Sequence, residues 1–302
     1  MPGRIYGHRM LDFISRISVV CFAASYAVAL ACEASRLLFR SGIRGAVMVG
    51  FAAAGVLAHT AFLGWRAATE AAVPLSSPFD WYLLAAWMLA LTSLALTLSS
   101  PRTPVGLFML PVVLGLIGAA VLSSREPFPQ SPATQVWGMI HGGFNLAASV
   151  AVAFGAIAGL MWLIQAGRLA RKEAPMRGFR MPSLERLSHT TRHTMTLAAW
   201  TAAAGFTSGI VLNAVNKQRG LLETVPWTDP VVLRMAALVT WLVVAAVAAR
   251  GLIRRPGAGR TLAWMSLASF LLLTASILWG VFGQTRHGVP PTGQAATREA
   301  AQ

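Results

Sequence analysis

Runs of about twenty apolar residues, each closed by charge, proline or serine, recur along the whole chain, and twenty residues of helix at 1.5 Å each span about 30 Å of hydrocarbon. Eight such runs are expected to be membrane-spanning helices, at 17–39, 45–65, 79–100, 104–122, 142–165, 194–214, 231–249 and 261–282. A chain of 302 residues that is 56% hydrophobic and 12% charged holds more apolar surface than a soluble core of its size can hide. The expected fold class is therefore all-α, a polytopic transmembrane bundle of about eight spans. Pro111 falls inside the fourth span, where freed carbonyls can be satisfied by neighbouring helices or water. Stretches such as GFAAAGVLA and AFGAIAGL suit close helix packing.

Charge fixes an expected orientation. The formal charge of +15 sits in short loops between apolar runs, which argues for membrane orientation and against nucleic-acid binding. The largest basic concentration, Arg168, Arg171, Lys172, Arg177, Arg180, Arg186 and Arg192, lies between spans five and six, joined by Arg254 and Arg255 between spans seven and eight. Placing that face in the cytoplasm puts both termini outside, in a multi-pass protein of the plasma (inner) membrane. The basic N-terminal stretch leads into a run too long for a cleavable leader and reads as a retained span. Cys21 and Cys32 form no CxxC pair and read as small buried hydrophobes.

On this topology His141, in WGMIHGG, lies at the outer end of span five, and His287, in FGQTRHG, lies just beyond the outer end of span eight. Between them the loop NKQRGLLETVPWTDP carries an aromatic residue, two acids and two prolines. Two neutral imidazoles can fill both axial positions of a haem iron while apolar surface covers the porphyrin. The same residues also suit an ordinary membrane interface, and composition does not separate the two readings.

Four features carry a family resemblance: the histidine-led span HGGFNLAASVAVAFGAIAGLMWLIQAGRLARK, the phrase MPSLERL at Met181 to Leu187, the series GIVLNAV, loop, VTWLV, and a last span leading out to His287. From Trp137 to Gly288 the chain resembles the cytochrome c assembly family, the CcsA-like haem-handling membrane proteins and their HemX-like relatives. The resemblance divides the chain into an N-terminal four-span region (1–130), a C-terminal assembly-like region (131–290) and a polar tail (291–302). It implies that His141 and His287 are axial ligands of a transiently held haem and that Trp227, Asp229 and Pro230 belong to a haem-presenting loop. It also implies attachment of haem to apocytochrome c on the external face, with a large partner subunit supplying an external domain. Bound partners would then be lipid, haem, apocytochrome c and that subunit.

The chain departs from the family pattern in two places. The loop keeps Trp227, Asp229 and Pro230, but Thr228 stands where the pattern has its last tryptophan, and most of the aromatic platform is missing. Ala249 occupies the position of an intramembrane histidine near the inner end of span seven. These departures keep open a HemX-like reading, a regulator or scaffold of haem synthesis or respiratory assembly without ligase activity. A small-molecule transporter is a third reading, against which stands the absence of any internal repeat.

Four other sites carry chemistry at sequence level. His59, inside span two, is either a helix–helix hydrogen bond or a haem or quinone contact. His189 and His193 share a helix face and can bind a metal, though a cationic helix end against phospholipid headgroups is the reading favoured by the adjacent Arg192. Asp80 reads as a helix cap, and Glu33 as a partner of Arg36. No phosphate loop, nucleophile triad or paired catalytic carboxylate occurs, so no catalytic residue and no metal beyond the haem iron is assigned.

Overall fold

The computed structural model describes residues 18–36, 42–69, 77–101, 103–126, 132–173, 181–219, 225–251 and 257–282. These residues are helical and contain no strand. The helices are α1 (Val19–Ser35), α2 (Gly42–Thr69), α3 (Pro78–Ser99), α4 (Val105–Leu122), α5 (Pro132–Ala170), α6 (Leu184–Arg219), α7 (Pro230–Gly251) and α8 (Ala258–Phe282). Seven are long and apolar enough to cross a membrane, and α1 is apolar but shorter at 17 residues. The chain is an all-α, polytopic helical membrane protein.

Where the elements begin follows from capping chemistry. Ser77 caps α3: its hydroxyl accepts from the Asp80 amide, the Asp80 carboxylate accepts from the Ser77 amide, and Pro78 fills the first turn, where an amide would be unsatisfied. Ser183 opens α6 by accepting from the Arg186 amide at 3.2 Å. Asp229 opens α7 in the same way, accepting from the Val231 amide at 2.8 Å, with Pro230 as first helical residue. At the other end of α5, Lys172 takes a left-handed φ of 53° and its amide bonds the Leu169 carbonyl at 3.1 Å.

Two helices extend well past their hydropathy limits. Helix α5 begins ten residues before the expected 142, and α6 begins ten before 194 and ends five after 214. Hydropathy marks where a helix enters lipid, whereas the helix itself runs until its backbone meets a breaker or a cap. The segments PATQVWGMI and LERLSHTTRH contain no internal breaker, so each continues as helix. His141 therefore lies inside α5, about nine residues from its start, rather than at a helix end. Helix α4 runs through Pro111.

The chain separates into two compact units, one of residues 1–126 with 168–182, the other of residues 127–167 with 183–302. In the first, α1 turns Phe22, Tyr26, Ala29 and Glu33 inward, a spacing of four, three and four that keeps them on one face. Phe79, Leu83, Leu89 and Ala90 of α3 and Met109, Val113 and Ile117 of α4 are buried in the same unit. Its ends are tied by the Arg36 guanidinium donating to the Pro101 carbonyl at 3.0 Å and by the Phe79 amide donating to the Ser124 carbonyl at 3.3 Å.

The core of the second unit is built from small residues. Ala148, Ala151 and Val152 of α5 pack with Ala198, Ala199 and Ala202 of α6 and with Leu238, Leu242 and Ala246 of α7. Alanine and glycine let backbones approach closely where van der Waals contact rather than water exclusion joins helices. Gly159 of α5 lies against Ala263 and Ser266 of α8, and the Trp241 indole of α7 donates to Ser269 of α8 at 2.9 Å. Large apolar side chains point outward, with Leu57 70%, Trp200 68% and Leu271 68% exposed. Such surface is what a lipid-facing bundle requires and what a soluble monomer avoids.

Candidate functional site

In the second unit, helix α6 presents GFTSG, two glycines four residues apart with Ser208 between them. The His141 ring from α5 fills the notch they leave. A Cβ on Gly209 would fall 2.8 Å from His141 Cε1, and one on Gly205 would fall 2.9 Å from the Asn145 side chain. Nδ1 of His141 lies 2.8 Å from the Gly205 carbonyl oxygen, with the Ser208 hydroxyl bonded to the same oxygen at 2.7 Å. A carbonyl only accepts, so Nδ1 carries the proton and Nε2 carries the lone pair of the neutral ring. Asn145, one turn further along α5, places its amide nitrogen over the ring, 3.4 Å from Nδ1 and 3.2 Å from Nε2, while donating to the His141 carbonyl at 2.9 Å.

The wall of α5 on either side of this histidine is aromatic and open. Trp137 and Phe144, four residues before and three after His141, share its helical stripe and are both exposed. One turn beyond Gly209, Asn213 makes two hydrogen bonds to Val225, accepting from its amide at 3.0 Å and donating to its carbonyl at 3.1 Å. Those bonds hold the turn Pro226–Asp229, closed by an Asp229 amide to Pro226 carbonyl bond of 2.9 Å, to the same stretch of α6 that holds the histidine. His141 and the Trp227–Pro230 turn are thus both anchored within three turns of one helix.

Within the turn the three residues differ. Trp227 is 62% exposed, Asp229 is buried as the α7 cap, and Pro230 accepts at its carbonyl from Arg234 Nε at 2.8 Å. His287 lies outside the described residues. Ala249 is fully buried among Met195, Ala245 and Leu262, packed where an imidazole and a porphyrin would need space.

His59 belongs to the first unit and is fully buried on α2. Its ring stacks on Phe22 with centroids 4.1 Å apart and planes 5° from parallel, and its Nδ1 lies 3.4 Å from the Tyr26 hydroxyl. Both partners come from α1, so the histidine joins two helices by a ring stack and a polar contact. Its Nε2 is buried without a hydrogen-bond partner. Glu33, also buried, faces the Gly106 and Leu107 amides at the start of α4 in addition to Arg36, so it caps a helix that is remote in sequence. At the opposite end of α3, Asp80 pairs with Arg66, and the Arg66 and Arg125 guanidiniums lie 4.9 and 4.8 Å from the Phe79 ring centre.

Sequence reasoning missed Gly205, Ser208 and Gly209 as the setting of His141, and Tyr26 and Phe22 as the setting of His59. The GxxxG spacing of Gly205 and Gly209 was a usable signal for close helix approach. Nothing in the sequence says which side chain fills the notch. Among the described residues no group of three or more His, Cys, Asp or Glu side chains converges as a metal site. Neither protein-family models nor curated proteins give a match to this chain.

Proposed function

We propose that this chain is a haem-handling membrane protein of the cytochrome c assembly type, holding haem transiently at the outer end of its second unit for transfer to apocytochrome c. The observation that carries the reading is the Nδ1 contact of His141 with the Gly205 carbonyl. Metal-binding histidines commonly donate their second ring nitrogen to a carbonyl or carboxylate, which fixes the tautomer and turns the other nitrogen into the ligand. The donor set fits an iron porphyrin: Nε2 is the lone-pair nitrogen, and Trp137 and Phe144 offer apolar ring faces on the same stripe. When bound, haem would supply an iron that takes axial imidazole and vinyl groups that accept protein thiols.

The chain's own residues explain why the hold would be brief. The Asn145 amide covers one face of the ring, so an iron reaches Nε2 beside an existing contact. Gly205 and Gly209 keep the ring in place without crowding it. His287 as a second axial ligand, the external location of both termini, the inner membrane and the large partner subunit rest on the family resemblance.

Absorption spectra of the protein purified from haem-replete cells test the proposal. A Soret band that disappears in the His141→Ala, His287→Ala double variant is expected. The same haem content in that variant overturns the ligand assignment.

A second reading, a HemX-like regulator or scaffold without ligase activity, draws on two observations: the closed packing around Ala249 and the single exposed tryptophan in the turn. Co-purification of a haem-synthesis enzyme without haem would favour it. Restoration of cytochrome c maturation in cells lacking their assembly system would exclude it as the whole account.

A further inference from the structure

Helix α6 carries a second histidine arrangement, separate from the notch at His141 and independent of the haem reading. His189 and His193 are one turn apart on an exposed stripe near the start of the helix, and their Nε2 atoms are 3.1 Å from each other with ring centroids 4.3 Å apart. Two nitrogens each about 2.0–2.1 Å from one metal ion, subtending about 90–109° at it, are about 2.9–3.4 Å apart. The observed separation falls inside that window. A pair of solvated imidazoles with no common ligand has no reason to turn the same nitrogen of each ring inward other than to share a proton between them.

From this geometry we infer that His189 and His193 form a bidentate site for a borderline divalent transition-metal ion such as Zn2+, Ni2+ or Cu2+, with water completing the coordination shell. Imidazole selects these ions over Mg2+ and Ca2+, which prefer oxygen ligands. The proton balance is simple for the neutral pair. Without metal, one ring donates Nε2–H to the lone pair of the other. With metal, the donating ring moves its proton to Nδ1, both Nε2 lone pairs face the ion, and no proton leaves.

Neighbouring residues on α6 set the character of the site. Glu185, one turn before His189 on the same stripe, is exposed and is not drawn into the pair, so the site has two protein ligands. Arg186 and Arg192 add positive charge nearby, which weakens binding of a bare cation and favours a metal that arrives with an anionic co-ligand. Thr194, the residue after His193, donates its hydroxyl to the Thr190 and Thr191 carbonyls of its own helix. Two open-sided ligands on an exposed helix suit reversible sensing or docking of an ion rather than a closed structural site.

Calorimetric titration of Zn2+ into the full-length, detergent-solubilised protein, carrying no polyhistidine tag and held near neutral pH, tests the inference. One ion per chain is expected, with affinity falling by about tenfold or more in His189→Ala and in His193→Ala, since even outer-shell partners of a metal contribute that much. His141→Ala is expected to leave the same isotherm unchanged. Electron paramagnetic resonance of the Cu2+ form should show coupling to two imidazole nitrogens in the wild type and to one in either variant. No binding to the wild type, or binding in both single variants as strong as in the wild type, overturns the site.

Discussion

The Glu33 carboxylate of α1 occupies the space that a side chain on Gly106 of α4 would fill, so neither residue can be understood without the other. Because Gly106 has no Cβ, the carboxylate reaches the first-turn amides of α4, where the orphan N–H groups and the positive end of the helix dipole receive it. Gly106→Ala is expected to destabilise the protein by about 1–3 kcal/mol through overpacking. Glu33→Ala is expected to cost about 1–2 kcal/mol through loss of the cap. The double variant should cost less than the sum, because the alanine methyl enters vacated space. Thermal unfolding of the four proteins in one detergent checks the cycle, and strict additivity would contradict the contact.

Asp80 and Arg66 form a largely buried pair, with side chains 6% and 14% exposed, and Asp80 is also half of the α3 capping box. Asp80→Ala removes one partner of a largely buried ion pair and is expected to cost about 3–5 kcal/mol. Asp80→Asn keeps an acceptor for the Ser77 amide and should be the milder change. Equal loss of thermal stability in the two variants would show that the charge, and not the cap, carries the whole effect.

Asn213 is the clamp on the Trp227 turn. Asn213→Ala removes both bonds to Val225 and should raise amide hydrogen exchange at Val225 and through Asp229, while exchange in the α6–α7 core around Ala202 and Leu242 stays low. Asp229→Ala, by contrast, uncaps α7 and is expected to raise exchange in its first turn at a cost of about 1 kcal/mol. Unchanged protection at Val225 in Asn213→Ala would remove the clamp from the account.

Asn145 tunes the histidine. If His141 takes haem as proposed, Asn145→Ala uncovers the ring face beside Nε2 and should raise the haem retained after purification, read from the Soret absorbance per chain. Gly209→Val should lower it, because a branched side chain there displaces the ring. Loss of haem in Asn145→Ala would mean that the amide supports the ligand rather than hinders it.

Lys172 holds a left-handed backbone that costs an L-residue about 1 kcal/mol or more. Lys172→Gly is expected to stabilise the α5 terminus by up to about 1 kcal/mol, measurable as a rise in Tm. A fall would show that the lysine side chain makes a compensating contribution.

Much of the fold was legible in the sequence because lipid demands it. A span needs about twenty apolar residues in helical conformation, and the centres of α2 to α8 fall where the apolar runs place them. Helix ends were legible where a cap residue met a proline, as at Ser77-Pro78 and Asp229-Pro230. They were misread at α5 and α6, where hydropathy ends before helix propensity does. Asp80 was expected as a cap and serves as one, whereas Glu33 also faces a helix more than seventy residues away, which i,i+3 logic has no means to find.

The apolar run lengths alone determined that this chain is a helical membrane protein, since hydrocarbon demands a fully paired backbone and a run of about twenty apolar residues matches a helical span, not the shorter strand of a barrel. Which residues meet inside it was decided by tertiary structure. Glycines at 106, 205 and 209 let a carboxylate and an imidazole from distant segments approach another helix's backbone, and such contacts depend on side-chain volume across an interface, which no single segment encodes.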